Sequence, residues 1–145
     1  MLTDHQIADV LYAAADYIDG HGWLRFYAAQ HSRPYAHGGP GAMSALGAIQ
    51  HVITGSPARW DTPRQDRRLD EVDQVMDCLD QRYLRIYPDG WFAQHGEPFM
   101  AWHSETDYPG ARPCRTKTEI VAFLRAAADE LRTVAGQSGR TGGAR

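Results

Sequence analysis

The sequence predicts a mainly α-helical (α+β) domain of about four helices, with the N- and C-terminal helices packed together. Two similar amphipathic segments, residues 7–18 and 120–131, each carry three consecutive alanines. A capping-box pattern precedes each segment, and such patterns are typical of a helix N-terminus. At 145 residues the chain is long enough for one domain with its own hydrophobic core. A small antiparallel sheet is the only β-structure that the sequence suggests.

The first helix is predicted from Thr3 onward. Thr3 is followed three residues later by Gln6, and apolar residues then recur at helical spacing over residues 7–18. Gly20 marks its end.

The last helix is predicted to begin at Thr116, which forms a second capping box with Glu119, and to continue to about Val134. Residues 136–145 are rich in glycine and are predicted to be a flexible tail. The single helical domain is therefore expected to span residues 1–135. Alanine allows two helix axes to approach closely, so the two alanine triplets are expected to face each other.

Two further helices are predicted in the middle of the chain, over residues 42–54 and 68–83. Gly55 is the expected stop of the first. The second has an acidic outer face and precedes a turn at Tyr87–Gly90, whose Pro-Asp-Gly sequence favours that conformation. Short strands are predicted over 23–28, 86–87 and 91–93, and these would form the small sheet.

Composition excludes several classes of function. A net charge of −3 and a pI near 6.1 give no electrostatic basis for binding nucleic acid. No apolar run approaches the ~20 residues that span a bilayer, so no membrane association is expected. The two cysteines lack metal or redox spacing, and the sequence begins with a capped helix rather than a signal peptide. The expected location is cytoplasmic.

The aromatic residues between the predicted helices are the main candidates for a binding site. Trp, Tyr and Arg are the usual anchors of protein interfaces, and inter-helix segments often carry function on a rigid scaffold. The alternative is that these residues close the open ends of the helical core. The predicted aromatic patch consists of Trp23, Tyr27, Tyr35, Trp91, Phe92 and Trp102.

A metal or catalytic site is the alternative function. His95 and His103 lie eight residues apart, and with Glu105 they would provide two imidazoles and one carboxylate. No histidine pair has the spacing of a helical zinc motif. Ser44 lacks the glycine-flanked elbow of a serine nucleophile and is expected to be a helix cap. No cofactor is predicted.

Four short motifs in order resemble the DUF6197 family of small actinobacterial and phage proteins. They are the Leu-x-Ala-Ala-Ala-Asp-x-Ile helix, the following Gly-His-Gly-Trp, the segment 44–48 (Ser-Ala-Leu-Gly-Ala), and Trp102 followed by 115–121. The resemblance implies a mainly helical single domain and no assigned activity. Such proteins usually have cysteine at the position of Ser44 and Asn-Asp at the position of His103-Ser104.

The preferred hypothesis is therefore a non-enzymatic binding or accessory protein, acting through a protein partner or self-association. The alternative hypothesis is a small enzyme or metal-binding protein that uses its loop histidines.

Overall fold

The structure is a computed structural model that describes residues 1–24, 41–55, 68–94, 96–104, 113–114 and 116–143. Within them the chain is mainly helical, as predicted, and has five α-helices and one 3₁₀ helix. In chain order these are α1 (Asp4–His21), α2 (Ala45–Thr54), α3 (Leu69–Ile86), the 3₁₀ helix (Trp91–Gln94), α4 (Pro98–Ser104) and α5 (Lys117–Gly143).

Helices α1 and α5 run antiparallel and make the most extensive helix–helix contact among the described residues. Asp16 near the end of α1 pairs with Arg125 at 3.0 Å, and Asp9 near its start pairs with Arg132 at 2.6 Å. The predicted pairing of the terminal helices is confirmed.

Two alanines of each triplet are buried in the core. Ala14 and Ala15 of α1 have no exposed surface, and Ala127 and Ala128 of α5 have almost none. Small side chains of this kind permit two helix axes to approach closely. The repeated motif is therefore a packing device of the scaffold.

Both predicted capping boxes lie at helix N-termini. The Thr3 hydroxyl accepts a hydrogen bond from the Gln6 amide at 3.2 Å, and the Gln6 side chain accepts one from Thr3 N at 2.8 Å. At α5 the Thr116 hydroxyl accepts from the Glu119 amide at 3.1 Å. These bonds satisfy amide donors that a helix leaves unpaired in its first turn.

A short backbone pairing joins the chain after α1 to the chain before α2. Leu24 N donates to Met43 O at 3.0 Å, and Met43 N donates to Gly22 O at 3.3 Å. Gly22 has φ +104°, and a Cβ there would lie 3.2 Å from Ala42 Cβ. Glycine is required at this crossing because other residues disfavour positive φ.

The possible small sheet does not form among the described residues, where the β-pairing is limited to an isolated bridge between Trp23 and Met43. Ile86 is the last residue of α3, and residues 91–93 belong to the 3₁₀ helix. The turn at 87–90 is confirmed, with Gly90 N donating to Tyr87 O at 3.1 Å, and Ala93 N donates in turn to Gly90 O. Local hydrogen bonds thus replace strand pairing, and Phe92 turns into the core. Residues 25–28 lie outside the described residues.

The last helix continues to Gly143, well beyond the predicted end near Val134. The segment contains no proline, so backbone hydrogen bonding can propagate through its glycines. Whether residues 136–145 fray in solution stays a prediction.

Helix α4 is not among the helices predicted from the sequence, because seven residues are too few to show helical periodicity. Its amide at Phe99 donates to the Asp80 carboxylate on α3 at 2.9 Å, which fixes α4 against that helix. None of the described helices combines the length and apolar content needed to cross a lipid bilayer.

Candidate aromatic binding site

Three residues of the predicted aromatic patch line one cavity of about 700 Å³. It lies between the C-terminal half of α3, the following turn and 3₁₀ helix, and the first turns of α5. A volume of this size is in the range of small-ligand pockets, about 300–1,000 Å³. The described residues that line this aromatic cavity are Arg82, Tyr83, Ile86, Tyr87, Gly90, Trp91, Phe92, Trp102, Pro113, Glu119, Ala122 and Phe123.

The walls of the aromatic cavity are packed rings. The ring centres of Tyr83 and Tyr87 lie 5.0 Å apart, those of Tyr83 and Trp102 lie 5.9 Å apart, and those of Trp102 and Phe123 lie 5.1 Å apart. These separations are typical of tilted aromatic pairs. Because each ring is held by another, the walls are rigid.

Three large apolar side chains at the opening of the cavity remain accessible to solvent. Ile86, Tyr87 and Trp91, which together form the mouth of the cavity, are 43%, 46% and 39% exposed. Phe92, the neighbour of Trp91, is 1% exposed and anchors the 3₁₀ helix in the core. The segment therefore holds one large ring outward at the mouth and one inward.

Gly90 keeps this segment close to α3. A Cβ at Gly90 would lie 3.3 Å from both the Cβ and the carbonyl oxygen of Tyr87, and 3.6 Å from the Tyr83 hydroxyl. A larger residue at this position would fit only if Tyr87 shifted by a few tenths of an ångström.

Arg82 supplies a positive charge to the lining. Its guanidinium carbon lies 4.9 Å from the centre of the Phe123 ring, which is a favourable cation–π distance. Its Nε donates to Glu130 at 3.2 Å, and the side chain is 15% exposed. Among the described residues, its two terminal nitrogens have no hydrogen-bond acceptor.

Tyr83 supplies the second polar group. The residue is only 3% exposed, and its hydroxyl makes no hydrogen bond to any described residue. Burial raises the pKa of Tyr83 to about 12, with a smaller contribution from Tyr87. Like an ordinary tyrosine, Tyr83 is protonated near neutral pH, so its hydroxyl can donate a hydrogen bond.

Trp23 lies apart from the aromatic cavity, so the predicted patch is not one surface. Its indole nitrogen donates to His103 Nε2 at 2.8 Å, and the two rings meet edge to face. Tyr27 and Tyr35 lie outside the described residues. The structure thus brings together Trp91, Phe92 and Trp102 and separates Trp23 from them.

His103 has a structural role at the N-terminus of α2. It is completely buried, and its Nε2 accepts hydrogen bonds from Trp23 and from the Ala45 amide at 3.0 Å. An imidazole nitrogen that accepts two N–H donors carries no proton, and its lone pair is already used. This engagement argues against Nε2 as a metal ligand.

The other two residues of the predicted metal site, His95 and Glu105, lie outside the described residues. Within the described ranges no three His, Cys, Asp or Glu residues are grouped closely enough to hold a metal ion.

Ser44 is the N-cap of α2, as predicted, and not an exposed nucleophile. It is fully buried, and its hydroxyl accepts from the Gly47 amide at 3.0 Å. The amide of the next residue, Ala45, donates to His103. Ser44 and His103, at which the sequence departs from the DUF6197 pattern, therefore both lie at the N-terminus of α2.

The predicted site omits Arg82, Tyr83 and Phe123, because these residues belong to helices rather than to inter-helix segments. Ile86 and Tyr87 lie three and four residues after Tyr83, which is the spacing of neighbours on one face of a helix. The predicted helix ends at residue 83 and therefore leaves this continuation out.

Comparisons with known proteins agree with the resemblance seen in the motifs. No curated protein and no solved structure matches the chain. The profile of a family of unknown function, DUF6197, matches residues 2–130, which include α1 to α4 and the first half of α5. The chain therefore belongs to the DUF6197 family.

Proposed function

We propose that this protein is a non-enzymatic binding protein whose aromatic cavity receives an apolar or aromatic side chain of a protein partner. The observation that carries the proposal is the accessible mouth above a rigid aromatic cavity. Ile86, Tyr87 and Trp91 are each about two-fifths exposed, although hydrophobic burial favours their removal from water.

The composition of the site supports a protein partner. Clustered exposed apolar residues mark interaction surfaces more often than isolated ones do. Trp, Tyr and Arg are enriched among the residues that dominate binding energy, and such anchors fill well-packed pockets. Arg82, Tyr87 and Trp91 provide all three residue types around one opening.

The alternative interpretation, in which the aromatic residues only close the core, accounts for Phe92 and Trp102, which are 1% and 8% exposed. It leaves the mouth unexplained. A residue that served only to close the core would be more stable with its ring buried, by about 25 cal/mol per Å² of apolar surface.

A substitution that fills the cavity tests this proposal. Ala122 lies on the exposed surface of α5 and lines the cavity, so Ala122→Trp blocks the opening without removing any core contact. Ala13→Trp is the matched control, because Ala13 is an exposed alanine on α1 that does not line the cavity.

The measurement is peptide selection followed by binding with purified components. Peptides enriched on the wild-type protein from a displayed random library are synthesised, and their affinities are measured by fluorescence anisotropy. We expect an aromatic anchor in the enriched peptides, unchanged binding to Ala13→Trp and loss of binding to Ala122→Trp. Equal binding to both variants would place the interaction elsewhere and overturn the proposal.

Self-association is distinguished by sedimentation velocity of the same three proteins. A wild-type dimer that persists in Ala13→Trp and dissociates in Ala122→Trp would identify a second copy of the chain as the partner. The cytoplasmic location and the origin in an actinobacterium or its phage remain predictions from the sequence.

A further inference from the structure

The lining of the aromatic cavity contains hydrogen-bond donors as well as aromatic rings. Arg82 and Tyr83, adjacent residues of α3, both bring hydrogen-bond donors to the lining. Neither the Tyr83 hydroxyl nor the Arg82 guanidinium is among the fully buried polar atoms that lack a partner, so both still reach solvent. These donors, on consecutive residues of α3, are therefore available to an acceptor that an occupant of the cavity supplies.

The charge of Arg82 is only partly satisfied within the protein. Glu130 accepts from its Nε and also pairs with Arg85, so one carboxylate is shared between two guanidinium groups. The terminal nitrogens of Arg82 have no acceptor among the described residues. These nitrogens form a planar fork whose geometry matches a carboxylate.

Tyr83 adds a hydroxyl donor to the lining. Among the described residues this hydroxyl has no hydrogen-bond partner, although the residue is only 3% exposed. A hydrogen bond to an ionised oxygen acceptor is stronger than one between neutral groups.

Among the described residues of the lining, the other charged residue is Glu119, near the start of α5. It has an interaction of its own, so it is not a free anion in the cavity. A cationic occupant is disfavoured because Arg82 already places a positive charge against the Phe123 ring at 4.9 Å.

Resting on the proposed function, we infer that the partner segment presents a carboxylate beside the aromatic side chain that enters the cavity. The ring packs among the tyrosine and tryptophan walls, and the carboxylate accepts hydrogen bonds from Arg82 and Tyr83. The occupant is thus a short acidic–aromatic segment of a protein, in which an Asp or Glu lies next to Phe, Tyr or Trp.

Two dipeptides that differ only in charge test this inference. Acetyl-Phe-Glu-amide carries the carboxylate, and acetyl-Phe-Gln-amide has the same length and shape without it. Their dissociation constants are measured by titration into ¹⁵N-labelled full-length protein and its variants. We expect the acidic dipeptide to bind the wild-type protein about tenfold more tightly, because hydrogen bonds to a charged group exceed those to a neutral one by that order.

Three variants identify the donors. Arg82→Gln should abolish the preference for the acidic dipeptide, and Tyr83→Phe should reduce it severalfold. Arg85→Gln is the matched control, because Arg85 shares the same Glu130 partner but does not line the cavity, and it should retain the preference. A preference that survives Arg82→Gln, or that disappears equally in Arg85→Gln, would overturn the assignment of the donors.

The outcomes for this inference and for the proposed function are separable. If both dipeptides bind with equal affinity and shift the residues of the cavity, the carboxylate inference fails and the aromatic cavity remains a binding site. If neither dipeptide shifts those residues, and the selected peptides bind Ala122→Trp normally, the proposed function fails as well.

Discussion

The indole nitrogen of Trp23 lies 2.8 Å from Nε2 of His103 and donates a hydrogen bond to it inside the core. The first residue was predicted to belong to an aromatic patch and the second to a metal site. Their contact gives both a structural role, since it ties the chain after α1 to α4 while the Ala45 amide ties the same imidazole to α2.

Replacing His103 with alanine should therefore destabilise the fold. His103→Ala leaves two donors unpaired and opens a cavity, and we expect a loss of about 3–5 kcal/mol in the free energy of unfolding. His103→Gln keeps an acceptor and should lose less. Urea denaturation measures both. A wild-type-like stability for His103→Ala would contradict the role assigned to this imidazole.

The stability of the fold should be sensitive to larger side chains at the buried alanines of α1 and α5. Ala127→Leu places a branched side chain where only 1% of the residue is exposed, and overpacking of this kind costs about 1–3 kcal/mol. Ala14→Leu should behave similarly. Ala13→Leu, at an exposed position one residue earlier on α1, is the control and should leave the melting temperature nearly unchanged. Equal effects at positions 13 and 14 would contradict the observed facing of α1.

The raised pKa of the Asp80 carboxyl should make the stability of the fold depend on pH. Burial raises the pKa of Asp80 to about 6 from 3.8, and the hydrogen bond from the Phe99 amide opposes that increase. The folded state thus holds the proton more tightly than the unfolded chain does. The stabilising contribution is complete below about pH 4 and is lost as pH rises to about 6.

Asp80→Asn should remove this dependence. The asparagine retains an acceptor for the Phe99 amide and carries no charge. We expect about 1 kcal/mol more stability than wild type at pH 7, after allowing for solvent screening, and no gain at pH 4. Asp73→Asn, an exposed carboxylate on the same helix, controls for the change in net charge. Parallel pH profiles for wild type and Asp80→Asn would contradict the account.

Removing the hydroxyl of Tyr83 should have little effect on stability, which is unusual for a nearly buried tyrosine. Tyr83→Phe removes a group that has no hydrogen-bond partner among the described residues, so stability should change by less than about 0.5 kcal/mol. Chemical denaturation measures the change. A loss above about 1.5 kcal/mol would show that the hydroxyl is bonded within the protein, and would remove it from the binding site.

The scaffold could be predicted from sequence because its signals are local. The capping residues Thr3 and Thr116, the Gly55 stop and the alanine faces act within a few residues of the helix that they define. The short strands were wrong because Trp91 and Phe92 favour strands intrinsically, whereas the preceding turn and the burial of Phe92 determine the actual conformation.

The site was only partly predictable because it depends on contacts distant in sequence. Trp91, Phe92 and Trp102 were named, yet their grouping with Phe123 arises from the placement of α5 beside α3. The hydrogen bond from Trp23 to His103 joins residues that are 80 positions apart in the sequence. No spacing rule relates such residues before the helices are packed.

That the aromatic cavity is the binding site is tested most directly by the indole N–H signals of the four tryptophans in a ¹H–¹⁵N spectrum. The signals are assigned by single Trp→Phe variants, and acetyl-Phe-Glu-amide is then added to saturation. We expect shifts of the Trp91 and Trp102 signals, which come from the aromatic cavity, and an unchanged Trp23 signal, because that indole is bonded to His103 outside the cavity. Unchanged Trp91 and Trp102 signals at saturating dipeptide, or a shift confined to Trp23, would contradict it.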